Sequence, residues 1–251
     1  MPDLAGFGRT PLHGRRANVQ ANARLLAAFV DRVAGGPAVV LGNSMGGLIG
    51  LMVAASSPRL VRALVLVDAV HAPAWGSRLD PEVALIFSIY MVPGLANRVL
   101  AAHARRATPE QVVRQMMRLC YADPSEFQGD LLDTHVALET ERRSMPWARE
   151  AFIEASRSIL RMVLWPGRLD KVAAAVVAPT LVIHGERDRL VPLRAARAAA
   201  KRRHWDLEVL TGVGHVPQLE APKRFVAAVE RWLARVDTAA CDGDIHPPGA
   251  P

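Results

Sequence analysis

Ser44 stands in Gly42-Asn43-Ser44-Met45-Gly46-Gly47, between the apolar runs Ala38–Leu41 and Leu48–Val53. A buried strand that turns at once into a helix needs small residues at the crossing, and a serine at its point takes strained dihedrals that push the hydroxyl into a crevice. Gly42 and Gly46 are expected to leave the room for strand and helix to pass closely. A serine hydroxyl is a weak nucleophile at neutral pH. To attack a carbonyl carbon it needs a base in hydrogen-bond reach and a third group that fixes the base's tautomer and stabilises its charged form.

Gly-x-Ser-x-Gly between a strand and a helix resembles the nucleophile elbow of the α/β-hydrolases. Two later segments resemble the same family. Pro179-Thr180-Leu181-Val182-Ile183-His184-Gly185-Glu186-Arg187-Asp188 is a β-branched run ending in a turn, similar to the strand that carries the family's acid, and Leu190-Val191-Pro192 then opens a helix. Gly214-His215-Val216-Pro217-Gln218-Leu219-Glu220-Ala221-Pro222 is similar to the late family signature Gly-His-x-Pro-x-x-Glu-x-Pro. The resemblance implies Ser44 as nucleophile, Asp188 as acid and His215 as general base, in the chain order this fold uses, with the backbone N–H of Met45 on one side of an oxyanion hole. Glu186 and His184 read as packing or hydrogen-bonding residues of the acid turn. Asp68 ends the apolar run Ala63–Val67 and is a second candidate acid, because some members carry the acid there. Its other role would be to cap the next turn. His71 reads as a loop residue near the site.

Met1–Pro11 resembles the Pro-Asp-Leu-x-Gly-x-Gly-x-Ser/Thr segment after the family's fourth strand. The resemblance implies that the chain is N-terminally truncated: the first strands, and the His-Gly loop with the second oxyanion donor, precede Met1, itself an internal methionine of the fourth strand. A fragment, or a fold that closes differently, is the alternative. Without a neighbour, Ala38–Leu41 would present an unpaired apolar edge. Loss of one oxyanion donor typically costs about 10²–10³ in rate.

The elements that must hold these residues follow from periodicity. Leu26, Phe29, Val30 and Val33 fall at helical spacing within Asn18–Val33, and Gly35-Gly36-Pro37 ends that helix. Met45–Ser57 is apolar all round, as a helix buried against a sheet should be. Ala63–Val67 has the length and uniform apolarity of a parallel strand covered on both faces. From Pro73 to Pro166 the alternation of strand and helix stops. Thr108-Pro109-Glu110-Gln111 and Asp123-Pro124-Ser125-Glu126 both read as helix starts. Leu85, Ile86, Phe87, Ile89, Tyr90, Met91 and Val92, with Met116, Met117 and Trp147, supply apolar surface there for packing or for a substrate pocket. Leu207–Leu210 reads as a last strand and Phe225–Val236 as a closing helix. The fold class expected is α/β: an α/β-hydrolase fold with a mostly parallel sheet flanked by helices. Its core is residues 1–72 and 167–236, with a helical cap inserted at 73–166 and a disordered tail at 237–251.

Composition narrows the function classes. The 251 residues are 51% apolar, enough for one domain with an insertion. A net charge of +7 invites a nucleic-acid reading, but only Lys171, Lys201 and Lys223 of the 31 basic residues are lysines and the arginines are spread along helices. Arg194, Arg197 and Lys201 share one side of an alanine-rich helix, a solvated face. No nucleic-acid partner is expected. Cys120 and Cys241 suggest neither a disulfide framework nor a metal site, Cys241 being an idle exposed thiol. No cofactor is expected. No signal peptide precedes Pro2-Asp3, and no apolar run is long enough for stable membrane insertion, which makes a cytoplasmic, soluble protein the expectation.

Serine at the elbow argues against the dehalogenase and epoxide hydrolase branches, which carry aspartate there. The expected activity is hydrolysis of a carboxylic ester or related acyl bond of a small apolar substrate. The alternative is a C–C bond hydrolase of ring-cleavage products, whose elbow is similar but whose members carry tryptophan where this chain has Val216. A non-catalytic module or inactive fragment is the reading from another class. Neither the substrate nor the oligomeric state is legible in the residues.

Overall fold

The computed structural model describes residues 2–241, with side-chain environments to residue 238. Among the described residues four strands form one parallel sheet in the order β1 (Ala38–Asn43), β2 (Val61–Val67), β3 (Thr180–Gly185), β4 (Asp206–Leu210). Parallel strands require crossovers. Helix α1 (Val19–Val33) leads into β1, α2 (Met45–Ser56) joins β1 to β2, and α9 (Leu193–Arg203) joins β3 to β4.

The sheet is buried on both faces, and the side-chain alternation of β2 divides its residues between two cores. Leu64 and Leu66 pack with α1, α2 and α9 residues such as Val19, Leu48, Ile49 and Ala196. Ala63, Val65 and Val67 pack on the other side with Phe225, Ala228 and Trp232 of the closing helix (Pro222–Cys241). The uninterrupted apolar run Ala63–Val67 is what such a double cover demands. Trp232 also donates from Nε1 to the Asp206 carboxylate at 2.7 Å, which leaves its one polar atom satisfied.

Between β2 and β3 lie six helices: α3 (Pro81–Met91), α4 (Leu95–Arg106), α5 (Pro109–Cys120), α6 (Asp130–Arg143), α7 (Ala148–Leu164) and α8 (Pro166–Ala174). The start at Thr108 is a full capping box, with Thr108 and Gln111 each accepting from the other's backbone N–H. The start at Asp123 opens only a single 3-10 turn. Asp123 accepts from Ser125 N, but the turn stops after Pro124–Glu126, and α6 begins only beyond Gly129, whose φ of +63° breaks the chain direction. The segment after Met1 is held by α6 and α7. Arg142 donates to the Gly6 and Gly8 carbonyls, Arg9 pairs bidentately with Glu141, and Glu154 accepts from Ala17 N and Arg16.

Among the described residues β1 is an edge strand, and its Leu41 side chain is exposed. The closing helix runs to Cys241, so residues 237–241 are helical where a disordered tail was expected; the rest of that tail, and the Cys241 side chain, lie outside the described residues. Residue 237 explains part of the extension, because the Asp237 carboxylate pairs with Arg62 of β2.

Candidate active site

Ser44 has φ +52° and ψ −115°, one of four described non-glycine residues with positive φ. Its backbone N–H donates to Val67 O at 2.8 Å, which ties the turn to the end of β2. The residue types around it explain how the chain tolerates this. A Cβ on Gly42 would be driven into the backbone of Gly46 and Gly47, and one on Gly47 into Ala69 and the Gly42 carbonyl. The crossing thus depends on Gly42 and Gly47, whereas a Cβ on Gly46 would meet open space. Gly42→Ala is expected to lose roughly 1–3 kcal/mol of stability, the usual cost of forcing atoms into a packed site. Gly46→Ala is expected to change little or to stabilise by up to about 1 kcal/mol, because it lies in a helix without steric conflict. Urea midpoints of the two variants check both.

Helix α2 starts at Met45, so the N–H groups of its first turn have no carbonyl one turn back, and the positive end of the helix lies at Ser44. Asn43 reaches away from the elbow: its Nδ2 donates to Val67 O at 3.2 Å and to the backbone carbonyl of His215 at 3.0 Å. The residue before the serine therefore holds the loop that carries the histidine.

That loop is fixed from three sides. His215 N donates to Cys120 O at 2.6 Å, at the C-terminus of α5. The Glu220 carboxylate accepts from the N–H groups of Gly214, Val216 and Ala122. Gly185, the last residue of β3, allows Gly214 to lie directly against it, since any Cβ there would overlap the Gly214 and Val213 carbonyls. The consequence is a short span between the acid turn and the histidine. His215 Nδ1 and Asp188 Oδ2 are 2.8 Å apart, with both side chains buried. Asp188 Oδ1 accepts from Leu190 N at 2.7 Å and Val191 N at 3.0 Å. Burial alone would raise the Asp188 pKa, but the hydrogen bond and charge of His215, then His184 and the Val191 N–H, hold it below the ordinary carboxylate value. The structure thus brings Asp188 and His215 together and ties Asn43, next to Ser44, to the same loop. No hydrogen bond joins the Ser44 hydroxyl to the His215 ring.

Asp68 stands at the carboxyl end of β2 with φ +43° and no exposure. Its Oδ1 accepts from Gly185 N at 2.9 Å, while Oδ2 is buried without a partner. Burial, and then the negative charge of Asp188, push its pKa well above the ordinary value. His184 lies between the two acids, 3.6 Å from Asp68 and 3.4 Å from Asp188, and is bonded through Nε2 to Val191 O at 3.0 Å. The donor atoms of Asp68, His184 and Asp188 lie within 4.8 Å of one another and could reach a single metal ion. Asp188 already accepts three hydrogen bonds and His184 is bonded to the Val191 carbonyl, so the cluster reads as an internal hydrogen-bond network. Glu186 accepts from Gly212 N at 3.1 Å, a loop-packing contact.

His71 is a loop residue near the site, and it is fully packed. It is buried, its Nε2 has no partner, and burial, followed by the neighbouring His184 and Arg202, lowers its pKa to about 3. The folded protein keeps this ring neutral while the unfolded chain takes up a proton below the ordinary value of 6.5. Stability should therefore be complete above about pH 6.5 and fall as the pH drops toward 3, by up to about 1.4 kcal/mol per pH unit. In urea unfolding at pH 7 and pH 5, His71→Leu is expected to remove about 2 kcal/mol of the difference between the two conditions.

A model of the Alpha/beta hydrolase family matches residues 1–228. The chain belongs to that family. Among its relatives in this family, the 2-hydroxymuconate semialdehyde hydrolase of Pseudomonas putida is 27% identical over 248 residues, covering 94% of this chain and 76% of its own. The pimeloyl-[acyl-carrier protein] methyl ester esterase of Xylella fastidiosa is 29% identical over 201 residues, covering 79% of this chain and 71% of its own. The 2-hydroxy-6-oxo-6-phenylhexa-2,4-dienoate hydrolase of Rhodococcus sp. strain RHA1 superposes with a TM-score of 0.68 at 23% identity, over 95% of this chain and 79% of that one. Relatives of this α/β-hydrolase therefore include both esterases and C–C bond hydrolases.

Proposed function

We propose that this α/β-hydrolase cleaves a carboxylic ester, or a related acyl bond, of a small apolar substrate through an acyl-enzyme. Ser44 is the nucleophile, His215 the base, Asp188 the acid, and the Met45 N–H one oxyanion donor. The observation that carries this reading is the 2.8 Å bond between Asp188 and His215, on a loop anchored by Asn43 beside a strained serine. Residues 1–72 and 167–236 would form the core, and the helices of 73–166 its cap. The cytoplasm is the proposed location.

In this mechanism the Ser44 hydroxyl attacks the carbonyl carbon and passes its proton to His215 Nε2. Asp188, ionised and bonded to Nδ1, stabilises the imidazolium. The Met45 N–H donates to the oxygen that gains the negative charge. Collapse expels the alcohol, which takes the proton from Nε2. Water, deprotonated by His215, then attacks the acyl carbon and frees the acid and Ser44. These side chains carry every step without a cofactor.

One feature favours an ester over a C–C bond. The position after the histidine is Val216, packed among Val113, Tyr121, Phe127 and Leu132 of the inserted segment, where the C–C hydrolases that the elbow resembles carry tryptophan. The test is fluorophosphonate labelling followed by peptide mapping, with p-nitrophenyl esters compared against a dienoic ring-cleavage product as substrates. Label on Ser44 and preference for the ester support the proposal. An intact, folded chain that takes no label at Ser44 leaves the non-catalytic reading in possession.

A further inference from the structure

Between Glu82 and Glu110 the sequence has no acidic residue, but it has Arg98, Arg105 and Arg106. This stretch makes nearly all of α3 and all of α4. Both helices pack against α7 by one face only: Val83 and Ala96 are buried, and Tyr90 meets Phe152 edge-on at 5.7 Å between ring centres. The Arg157 guanidinium fixes the turn between them by donating to Tyr90 O at 2.7 Å and Val92 O at 3.1 Å. The other face is bare. Leu85 is 64% exposed, Val92 47% and Val99 40%, and every residue from Met91 to Leu95 is exposed. Leu85 and Val92 are seven residues apart and so share one side, as do Leu95 and Val99 on α4, with Arg98 beside them and Arg105 and Arg106 two turns on. None of these three arginines has an acidic partner within 4 Å among the described residues.

Neither helix is long and apolar enough to cross a membrane, and the two meet at 114°. An apolar corner with a cationic flank and no carboxylate suits an interface between water and lipid. Aliphatic side chains enter the boundary of the acyl region there, and guanidinium groups pair with phosphates. A second copy of the chain fits the surface less well, because a two-fold contact would set the same arginines against each other.

We propose that the corner between α3 and α4 docks peripherally on an anionic lipid bilayer, with Leu85, Met91, Val92 and Leu95 entering the interface and Arg98, Arg105 and Arg106 facing lipid phosphates. The docking does not depend on the proposed chemistry. It is tested with the full chain carrying Ser44→Ala, so that lipid hydrolysis cannot confound it. Sedimentation is measured with vesicles of phosphatidylcholine alone and of phosphatidylcholine mixed with phosphatidylglycerol. Binding to the anionic vesicles should be at least about tenfold tighter and should weaken with salt. Exchanging all three arginines for glutamine should lower it about a hundredfold, at roughly fivefold per arginine. Val92→Asp with Leu95→Asp should also abolish tight binding, with circular dichroism and urea midpoint unchanged. Equal binding to both vesicles, binding to neither, or a variant lacking these three arginines that binds like its parent overturns the proposal. So does a dimer in light scattering that Val92→Asp with Leu95→Asp dissociates, which would assign the surface to a second copy.

Discussion

Ser44→Ala is expected to abolish fluorophosphonate labelling and to lower kcat for a p-nitrophenyl ester by about 10⁶, the scale seen when the nucleophile of such a unit is removed. Alanine keeps the Cβ but has no oxygen to attack with, and neither His215 nor the first-turn N–H groups can replace it. The backbone supplies an independent check. At φ +52° and ψ −115° a residue with a Cβ is strained by roughly 1–3 kcal/mol, whereas glycine is not. Ser44→Gly should therefore be as inactive as Ser44→Ala yet more stable in urea. A merely structural serine would behave differently, because its removal would disturb folding while the label and the rate persisted on another residue. Comparable turnover in Ser44→Ala and the parent would remove Ser44 from the chemistry.

The parts of this fold set by local rules are legible in the sequence. β2 and β3 read as strands because Ala63–Val67 and Leu181–Ile183 are apolar runs, and they are so because helices cover both faces. The elbow reads from its glycines, although which of them matter does not. Gly46 fits the five-residue pattern, but Gly47 makes the close contact, since strand–helix distance is a tertiary quantity. Asp123 shows the limit of a cap signal. Its carboxylate does bond to Ser125 N, but Gly129 decides where the next helix begins. Glu220 stood in the histidine signature without a role, and its role is long-range: it bonds Ala122 at the end of the inserted helix α5 as well as Gly214 and Val216. Asn43 joins elbow and histidine loop across 172 residues. The Cys120 carbonyl, which receives the His215 N–H, is a backbone group that no side-chain pattern can announce. The buried state of His71 likewise depends on elements far along the chain.

Asp188→Asn is expected to reduce kcat by about 10⁴, and Asp68→Asn by less than about tenfold. Both carboxyls are buried at the carboxyl ends of neighbouring strands, and either position could house the acid, so the choice rests on charge. Asp188 is bonded to His215 Nδ1 and to two backbone N–H groups, which favours its ionised form despite burial. Asp68 has one N–H partner, from Gly185, and an oxygen with none, and Asp188 repels its negative form, so it favours the proton. Asp68 makes no bond to His215 through which it could stabilise an imidazolium, and asparagine at 68 keeps the shape of its side chain. At 188 asparagine removes the charge, and its amide N–H groups oppose a ring that should donate from Nδ1, which holds the histidine in the wrong tautomer for accepting the Ser44 proton. Rates measured for the two variants separate the roles. A collapse in Asp68→Asn with a nearly unchanged Asp188→Asn would move the acid to the end of β2 and leave the 2.8 Å contact as packing.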